Sequence, residues 1–437
     1  NIWIKDSFCV GNMAVNQVTE GGDSVPHAIN ALFDNFDRYS PDFQYAWTGG
    51  TFPSNSGDIV NSTLYSAAGA GDGTFSVADF VYGTGNSRVA WDGVLVPSYI
   101  NIGAIRNSNR ERVLSVLSGR VPHFSYNIPA DPVTTREVTV TSASQFNTEA
   151  AVAGTRILIN SSFSGNVTIN ANDIDVVMSN AATISGRVTI GNNTSYIERI
   201  RWTGGNVGEL NGIRFRDLLF DDLYALASPA TAFAASPEHN FSRGWDGSVN
   251  PPFQRMAFVN TTLELQGDPE APSNQWAWAF HCSQLAEHED LIFANVKFLS
   301  NHQLNRIQRV RRLLMVDCAM NPNGTAGNGM RLEQRNDYVW IKDSFSRGLF
   351  SCSTGSTLPG ATNVLFDAYD RYFTSNQYVN QPNGETNEGI IQNSTMYFTG
   401  GPSAFPSVSP FTSGDGNVGE AWDGSTVPDY SMIGAVR

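Results

Sequence analysis

The sequence predicts an all-β protein, built as a parallel β-solenoid in two tandem modules of which the first is truncated. Two observations lead to this prediction. The end of the chain repeats its beginning, and short apolar segments recur around a polar residue at a period that is mostly 22–28 residues. Such a period is one coil of a solenoid, which buries an apolar row and stacks on its neighbours.

The repeat covers whole segments in one register. The segment WIKDSF at residues 3–8 returns at residues 340–345, and residues 90–106 match residues 421–437 at 11 of 17 positions. The offset between the copies stays between 331 and 337 residues. A complete module therefore follows the last third of a similar one. Because residue 1 falls inside a repeated segment, we expect residues 1–437 to be part of a longer protein.

The polar residue of each period is Asn or Asp. These residues tolerate the left-handed backbone of a bend, and their side chains can hydrogen-bond the equivalent residue in the next coil. A leucine-rich repeat would need regular leucines and helices, and a β-sandwich would show hairpin signals every 8–12 residues. The predicted ladder of the second module consists of Asn260, Asn295, Asp317, Asp343, Asp367 and Asn393.

The sequence also predicts the elements with which the second module begins. Residues 107–118 could form a short helix, and Pro122, Pro129 and Pro132 then mark a linker. A strand begins at Val138, and a short amphipathic helix over residues 144–152 covers the open end of the first coil, where it prevents edge pairing. The predicted domains are residues 1–118 as the C-terminal part of a first β-helix module, 119–137 as a linker, and 138–437 as a complete second module with an N-terminal cap helix.

This start resembles that of the pectin-lyase-like superfamily. The resemblance lies in the cap from Phe146 to Val152, the following segment GTRILI at residues 154–159, and the stacked Asn/Asp bends. It covers residues 135–437 and again 1–106, and it implies a right-handed parallel β-helix. The resemblance does not indicate one particular activity, because the superfamily includes polysaccharide lyases, glycoside hydrolases, epimerases, phage tailspikes and adhesins.

The net charge and the cysteine content limit which partners, membrane spans and disulfides can be expected. The formal net charge is −14 and the pI about 4.8, which argues against nucleic acid as a partner. No run of 18 apolar residues predicts a membrane span. No cofactor is expected, although an acidic surface is compatible with calcium. Any disulfide would involve Cys282, Cys318 and Cys352, in a pairing that the sequence leaves open.

Arginines form the strongest candidate site. Arg309 and Arg311 alternate with apolar neighbours, as do Arg331, Glu333 and Arg335, so each set is expected on one face of a strand. A step of 22 residues joins Arg309 to Arg331 and Arg311 to Glu333, which predicts that the sets stack. Arginine binds carboxylate or sulfate in bidentate fashion, and uronate lyases of the superfamily use Arg or Lys beside the sugar C5. We favour the alternative, a ladder of Arg–Glu pairs that holds the face together.

Two further groups of residues are candidates for a functional site. A metal site is the less favoured interpretation of one group, because its spacing is loose and a solvated acidic loop explains it: His281, Glu287, His288, Glu289 and Asp290. The other group recurs in both copies and is interpreted as structural rather than as a duplicated sugar site: Trp3/Trp340, Lys5/Lys342, Asp6/Asp343, Asp37/Asp370, Arg38/Arg371 and Trp91/Trp422.

The predicted function is a structural or adhesive β-helix repeat module of a large extracellular fibre or surface protein, with glycan binding along its side. Neighbouring modules or like subunits are the expected partners, with acidic polysaccharide as a further one. The alternatives are a polysaccharide lyase or phage depolymerase acting on acidic glycans, and a protomer of a filament. Repetition of the whole module and the lack of a convincing catalytic set favour the first interpretation.

Overall fold

The chain divides into two compact units, residues 1–106 and residues 107–437, called unit 1 and unit 2 below. Residues 107–118, predicted to end the first module, lie in unit 2. The computed structural model describes residues 2–10, 29–40, 45, 55–67, 75–77, 79–90, 108–117, 119–227, 241–242, 252–265, 278–282, 287–300, 303–320, 328–352, 359–373, 377–380, 387–399, 404–425 and 430.

Strands make up most of the regular structure in these ranges. Unit 1 contains β1 (Ile2–Val10), β2 (Ala31–Ser40), β3 (Gly57–Val60), β4 (Thr63–Ser66), β5 (Val81–Tyr82) and β6 (Ser87–Ala90). Unit 2 contains the helices α1 (Asn109–Val116) and α2 (Ala143–Glu149). Its strands are β7 (Arg136–Thr139), β8 (Thr155–Ile159), β9 (Val167–Ile169), β10 (Ile174–Met178), β11 (Thr183–Ile184), β12 (Val188–Ile190), β13 (Ile197–Thr203), β14 (Asn206–Val207), β15 (Leu210–Gly212), β16 (Phe215–Asp221), β17 (Tyr224–Ala227), β18 (Phe241–Ser242), β19 (Gln254–Leu265), β20 (Trp278–His281), β21 (His288–Ser300), β22 (Gln303–Gln308), β23 (Val310–Val316), β24 (Ala319–Met320), β25 (Asn328–Glu333), β26 (Asn336–Arg347), β27 (Leu349–Cys352), β28 (Ala361–Tyr372), β29 (Gly389–Gln392), β30 (Thr395–Phe398), β31 (Thr412–Ser413) and β32 (Val418–Ala421).

The prediction of an all-β protein is confirmed, and its sheets are parallel. Strands that follow one another in the same sheet pair at the spacing by which the apolar segments recur in the sequence. Met256 of β19 pairs with Leu291 of β21, Leu291 with Leu313 of β23, and Leu313 with Val339 of β26. Two further sheets of unit 2 follow the orders β9–β12–β15–β18 and β20–β22–β25–β27. No helix in the described ranges is long and apolar enough to cross a bilayer.

Alternating side chains build the main core. In β16, Leu218 and Phe220 belong to the main core, whereas Leu219 belongs to a second apolar cluster. Phe220 stacks on Phe258 with 5.1 Å between ring centroids, and Phe258 stacks on Phe293 at 5.4 Å. Burying one such side chain stabilises the fold by about 1.5–3 kcal/mol. A shift of one residue in the pairing of two strands would turn these phenylalanines to the opposite face of the sheet. Their burial therefore fixes the register of the strands.

Both helices begin at a serine cap. The Ser108 hydroxyl accepts a hydrogen bond from the Glu111 backbone N–H, and the Glu111 carboxylate accepts one from the Ser108 N–H. This capping box starts α1. In α2, the Ser142 side chain accepts from the Gln145 N–H, and Phe146 is fully buried in the main core. The helix that the sequence predicts over residues 144–152 therefore lies at residues 143–149.

Left-handed backbone occurs at the bends between strands. Five of the six predicted ladder residues have φ between 46° and 57°, namely Asn260, Asn295, Asp317, Asp343 and Asn393. At the sixth position the left-handed residue is Ala368, with φ of 51°, directly after Asp367. Unit 1 shows the same shift, because Asn35 is left-handed after Asp34. Alanine at such a bend could not be predicted from the sequence, because a Cβ atom disfavours the left-handed conformation.

Side chains at these bends hydrogen-bond between neighbouring parallel strands. Asn295 Nδ2 donates to Asn260 Oδ1 at 2.8 Å, and Asn393 Nδ2 donates to Asp367 Oδ1 at 2.7 Å. In unit 1, Asn61 Nδ2 donates in the same way to Asp34 Oδ1 at 2.9 Å. An amide above a carboxylate satisfies both groups without bringing two charges together.

Two carboxylates follow each other in the ladder at Asp317 and Asp343. Arg120 lies between them, with Nε at 2.8 Å from Asp343 and a terminal nitrogen at 2.8 Å from Asp317. Like charges on adjacent coils repel, and a shared guanidinium removes that repulsion. Arg120 comes from the segment that the sequence predicts to be a linker.

This segment is packed on the sheet. We call residues 119–133 the strap. With α1, it covers the second apolar cluster on the outer face of the strands. From α1 and the strap come Val113, Val116, Leu117, Phe124, Tyr126 and Ile128, and from the sheet come Leu219, Ala257, Val259, Ile292, Ala294, Leu314, Val316, Trp340 and Leu365. Prolines suggested a linker, but extended backbone beside a sheet needs no internal hydrogen bonds and accepts proline readily.

Aspartates of the sheet hold the strap along its path. The Arg112 side chain of α1 donates to Asp221, and the Arg120 side chain donates to Asp317 and Asp343. Further along, the backbone N–H groups of Asn127, Ala130 and Val133 donate to Asp290, Asp217 and Asp173, respectively. His123 Nε2 lies 3.1 Å from the Asn363 carbonyl oxygen. α1 and the strap therefore run from the level of β16 to β28, and the strap then returns past β21 and β16 towards β10.

Replacing Arg120 by alanine should destabilise unit 2 by about 1–3 kcal/mol, because two partly buried carboxylates lose their shared cation. Burial raises the pKa of Asp317 against the opposing effect of Arg120, so the deficit should shrink as the pH falls and Asp317 becomes protonated. Urea unfolding at several pH values measures this. Arg110→Ala on the exposed face of α1 is the control, and an equal loss in both variants would contradict the interpretation.

Asp173 should stabilise unit 2 at neutral pH and not in acid. Its hydrogen bonds with Arg199 are the main cause that lowers its pKa below the ordinary value of 3.8. The contribution is complete above the unfolded pKa and is lost as the pH falls through the lower folded pKa. Urea midpoints between pH 2 and 7 for the wild type and Asp173→Asn should differ most at neutral pH and converge in acid. The exposed Asp415→Asn serves as the control, and a difference that stays constant with pH would refute the assignment.

Candidate functional site

A polar row lies on the sheet β20–β22–β25–β27. Phe280, Ile307, Leu332 and Phe350 of these strands belong to the main core. Residues next to them in sequence therefore lie on the opposite face. The strand register places four of them in successive strands, so that His281 pairs with Arg306, Arg306 with Arg331, and Arg331 with Ser351.

A buried carboxylate stands at the centre of this row. Glu333 is 5% exposed, and its Oε2 accepts hydrogen bonds from Arg306 Nε at 2.7 Å and from Gln308 Nε2 at 2.9 Å. Arg331 Nε lies 3.5 Å from Glu333 Oε1. Two guanidinium groups thus meet one carboxylate in a place where water has little access.

Only part of the predicted arginine stripe lies in this row. Arg331 and Glu333 do, but Arg309 is a bend residue with φ of 54°, and Arg335 is an exposed bend residue with φ of 65°. Arg311 is exposed on β23. The predicted stacking in steps of 22 residues is wrong, because Arg331 pairs with Arg306, 25 residues earlier. The strand ends at Gln308, so a strand alternation cannot extend through Arg309.

Sequence reasoning missed Arg306, Gln308 and Ser351, and it placed His281 in the group considered for a metal site. A signal for two of them existed. The triplet Arg306-Ile307-Gln308 has the same polar, apolar, polar order as Arg331-Leu332-Glu333, and a step of 25 residues is nearer to the module's usual period than 22. His281 and Ser351 offered no comparable signal, since each belongs to a short strand of four residues.

The residues considered for a metal site make separate contacts, and the favoured interpretation of a solvated acidic loop is wrong for His288 and Asp290, which are buried in β21. His288 is buried and stacks on Phe253 at 4.1 Å, and its Nδ1 accepts the Phe253 N–H. Asp290 binds Arg312 and the strap residue Asn127. In the part of the chain that the structure describes, no three histidine, cysteine or acidic side chains are grouped as metal ligands. His281 lies on another sheet, Glu289 approaches Arg255 at 3.8 Å, and Glu287 is exposed.

Residues shared by the two units make contacts inside each unit. Lys342 Nζ lies 2.7 Å from Asp367, and Lys5 Nζ lies 3.2 Å from the equivalent Asp34. Asp370 accepts hydrogen bonds from the Thr395 N–H and the Tyr430 hydroxyl. Burial raises the pKa of Asp370 and also that of its equivalent in unit 1, Asp37.

Arg371 is fully enclosed without a carboxylate in the described contacts. Its guanidinium donates to the carbonyl oxygens of Gly348 and Tyr378, and it lies over the rings of Phe350 and Tyr378 at 5.4 Å and 5.3 Å. Burial lowers the pKa of this guanidinium. Arg38 of unit 1 is equally buried and lies over Tyr45 at 5.6 Å. Backbone dipoles and aromatic faces therefore surround the Arg371 guanidinium.

The tryptophans do not form a common sugar platform. Trp340 is 2% exposed beneath the strap, whereas its equivalent Trp3 is 68% exposed. Trp422 packs edge-on against Tyr372, with 4.4 Å between ring centroids, and beneath the Arg347 guanidinium at 5.6 Å. Trp91, Asp6 as a side chain, His27, His239 and His302 lie outside the described residues.

The three cysteines considered for a disulfide are buried free thiols, Cys282, Cys318 and Cys352. Burial raises the pKa of the Cys318 thiol well above its usual range. A thiol that stays protonated is a poor nucleophile and a poor metal ligand. These cysteines therefore act as small core residues.

Comparison with known proteins adds no family to these observations. No protein-family model matches the chain, and no curated protein matches its sequence significantly. The polar row has to be interpreted from its own geometry.

Replacing Glu333 by glutamine should destabilise unit 2 by about 2–4 kcal/mol, because Arg306 and Arg331 would keep their charges in a buried place without the carboxylate. Glutamine has the same shape and still accepts hydrogen bonds, so the change isolates the charge. Glu287→Gln, at an exposed residue, should change stability by less than about 0.5 kcal/mol. Urea unfolding compares the two variants, and equal stability of Glu333→Gln and wild type would show that the pairs contribute nothing.

Proposed function

We propose that the chain consists of tandem right-handed parallel β-helix modules of the pectin-lyase-like kind, the first truncated, and that it is a structural or adhesive module of a large extracellular fibre or surface protein. Support for the fold comes from parallel pairing at the coil period, left-handed Asn and Asp bends, and side-chain ladders between coils. A cap helix, α2, stands at the start of the second module.

One observation carries the functional part. The residues that recur in both units are used for holding each unit together, as shown by the Lys5–Asp34 and Lys342–Asp367 pairs and by the enclosed Arg371. What is duplicated is thus the scaffold. A duplicated catalytic or binding centre would instead leave shared polar groups pointing at an open cleft. Repetition of a scaffold is the usual design of rods, fibres and surface spacers.

Adhesion to acidic glycans is the second part of this proposal. The row of His281, Arg306, Arg331 and Ser351 runs along the stacking direction, with one coil per residue. His281 and Ser351 are buried, so an extended chain of sugars lying along a solenoid would meet the partly exposed Arg306 and Arg331. Guanidinium groups bind carboxylate or sulfate substituents in bidentate fashion. Neighbouring modules or like subunits would be the other partners.

A polysaccharide lyase or depolymerase acting on the same glycans is the alternative that this row favours. Arginine would stabilise the negative charge that develops on the uronate carboxylate during proton abstraction. Glu333 argues for the structural role, since both arginines approach it within the row. Calcium could assist binding to such glycans, and a filament of like subunits is a further alternative for the assembly.

Incubation of the whole protein with alginate, pectate and glycosaminoglycans, with and without calcium, tests both roles. We expect the protein to be retained on the immobilised glycans without forming unsaturated uronate products, which ultraviolet absorption would detect. Arg331→Ala should weaken retention several-fold, as expected for loss of a charge-assisted contact. Arg311→Ala, at an exposed residue outside the row, should leave it unchanged. Unsaturated product that disappears in Arg331→Ala would overturn the structural proposal in favour of a lyase.

A further inference from the structure

Unit 2 contains a cleft between α1 and the strap. Asn109, the first residue of α1, donates its backbone N–H to the carboxylate of Asp131, near the end of the strap, at 2.6 Å. The helix and the strap are thereby closed into a loop, and two adjoining cavities of about 500 and 600 Å³ lie along it. Arg110, Tyr126 and Ile128 line both cavities. Volumes of this size are usual for small-molecule sites.

Apolar side chains line the smaller cavity. Leu114 of α1 is 37% exposed and Val121 of the strap is 89% exposed. Phe124 and Tyr126 line the same cavity, and they stay partly exposed although they pack against the apolar cluster of the sheet. A ligand with an apolar body would remove this surface from water, which contributes about 25 cal/mol per Å².

Arg110 supplies a positive charge to both cavities. It is exposed, and it has no hydrogen bond or ion pair among the residues that the structure describes. Arg255, which lines the larger cavity, is instead held by hydrogen bonds to Asp217. Burial raises the pKa of the Tyr126 phenol, and the nearby charge of Arg110 opposes this rise. An unpaired guanidinium beside an apolar surface is complementary to an anion with an apolar body.

We propose that the cleft between α1 and the strap binds a small apolar anion, namely an aromatic or aliphatic body that carries one carboxylate or sulfonate. The body lies on Leu114, Phe124 and Tyr126, and the anionic group binds the Arg110 guanidinium, which suits a planar carboxylate. A sugar is less suited, because its hydroxyl groups would lose water on these side chains without gaining hydrogen bonds. This site is separate from the polar row on β20–β22–β25–β27 and does not depend on the function proposed above.

Equilibrium dialysis of the full chain with 2-naphthoate and with its neutral analogue 2-naphthamide tests the site. We expect saturable binding of naphthoate with a dissociation constant of about 0.1–1 mM, as is usual for a ligand of this size, and weaker binding of naphthamide. Arg110→Ala should weaken naphthoate binding about fivefold, the upper end for a solvent-exposed ion pair, and leave naphthamide binding unchanged. Arg311→Ala, which removes an equal charge from an exposed place on β23, should change neither.

Leu114→Gln tests the apolar part of the cleft. Glutamine keeps the helix and removes apolar surface, so both ligands should bind several-fold more weakly. Absence of saturable binding, equal affinity of the wild type for the two ligands, or a preference for naphthoate that persists in Arg110→Ala would each overturn the proposal. Because Arg110 is exposed and unpaired, its replacement should leave the urea midpoint unchanged, so that lost binding cannot be ascribed to unfolding.

Discussion

Apolar residues occupy both faces of the long parallel sheet in unit 2, and both faces must be kept from water. One face closes on the main core, as parallel sheets require. The other presents Leu219, Ala257, Ile292, Leu314 and Trp340 in successive strands, and α1 with the strap covers them. Sheet aspartates then accept the hydrogen bonds of the strap. The packing of the strap, the charges of the ladder and the burial of Trp340 all depend on this one covering segment.

The periodic part of the fold could be predicted from the sequence, whereas the strap could not. Strand periods and Asn/Asp bends follow from side-chain volume and backbone preference, which act locally. The strap gave only a weak signal, the alternation Phe124-Ser125-Tyr126-Asn127-Ile128, and its prolines pointed to a linker. Its docking depends on a surface assembled from strands that are distant in sequence, so no local pattern encodes it.

Some residues of the candidate site could be predicted from the sequence, but their pairing between strands could not. Arg331 and Glu333 were identified because strand alternation is a local property. Arg309 was misplaced because a left-handed arginine, unlike a left-handed asparagine, has no sequence signature. The short strands that position His281 and Ser351 follow segments of variable length, so that coil spacing cannot be counted through them. Buried arginines with backbone carbonyls as partners, such as Arg371, are likewise recognisable only in three dimensions.

The position of the strap in the chain has a consequence for synthesis on the ribosome. Phe124, Tyr126 and Ile128 leave the exit tunnel well before the surface that receives them, since Leu365 is about 240 residues further along. At roughly 5–20 residues per second, this interval lasts on the order of ten seconds or longer. Meanwhile these apolar side chains are exposed on a nascent polypeptide. They lack the surface that covers them in folded unit 2 until β28 has been synthesised.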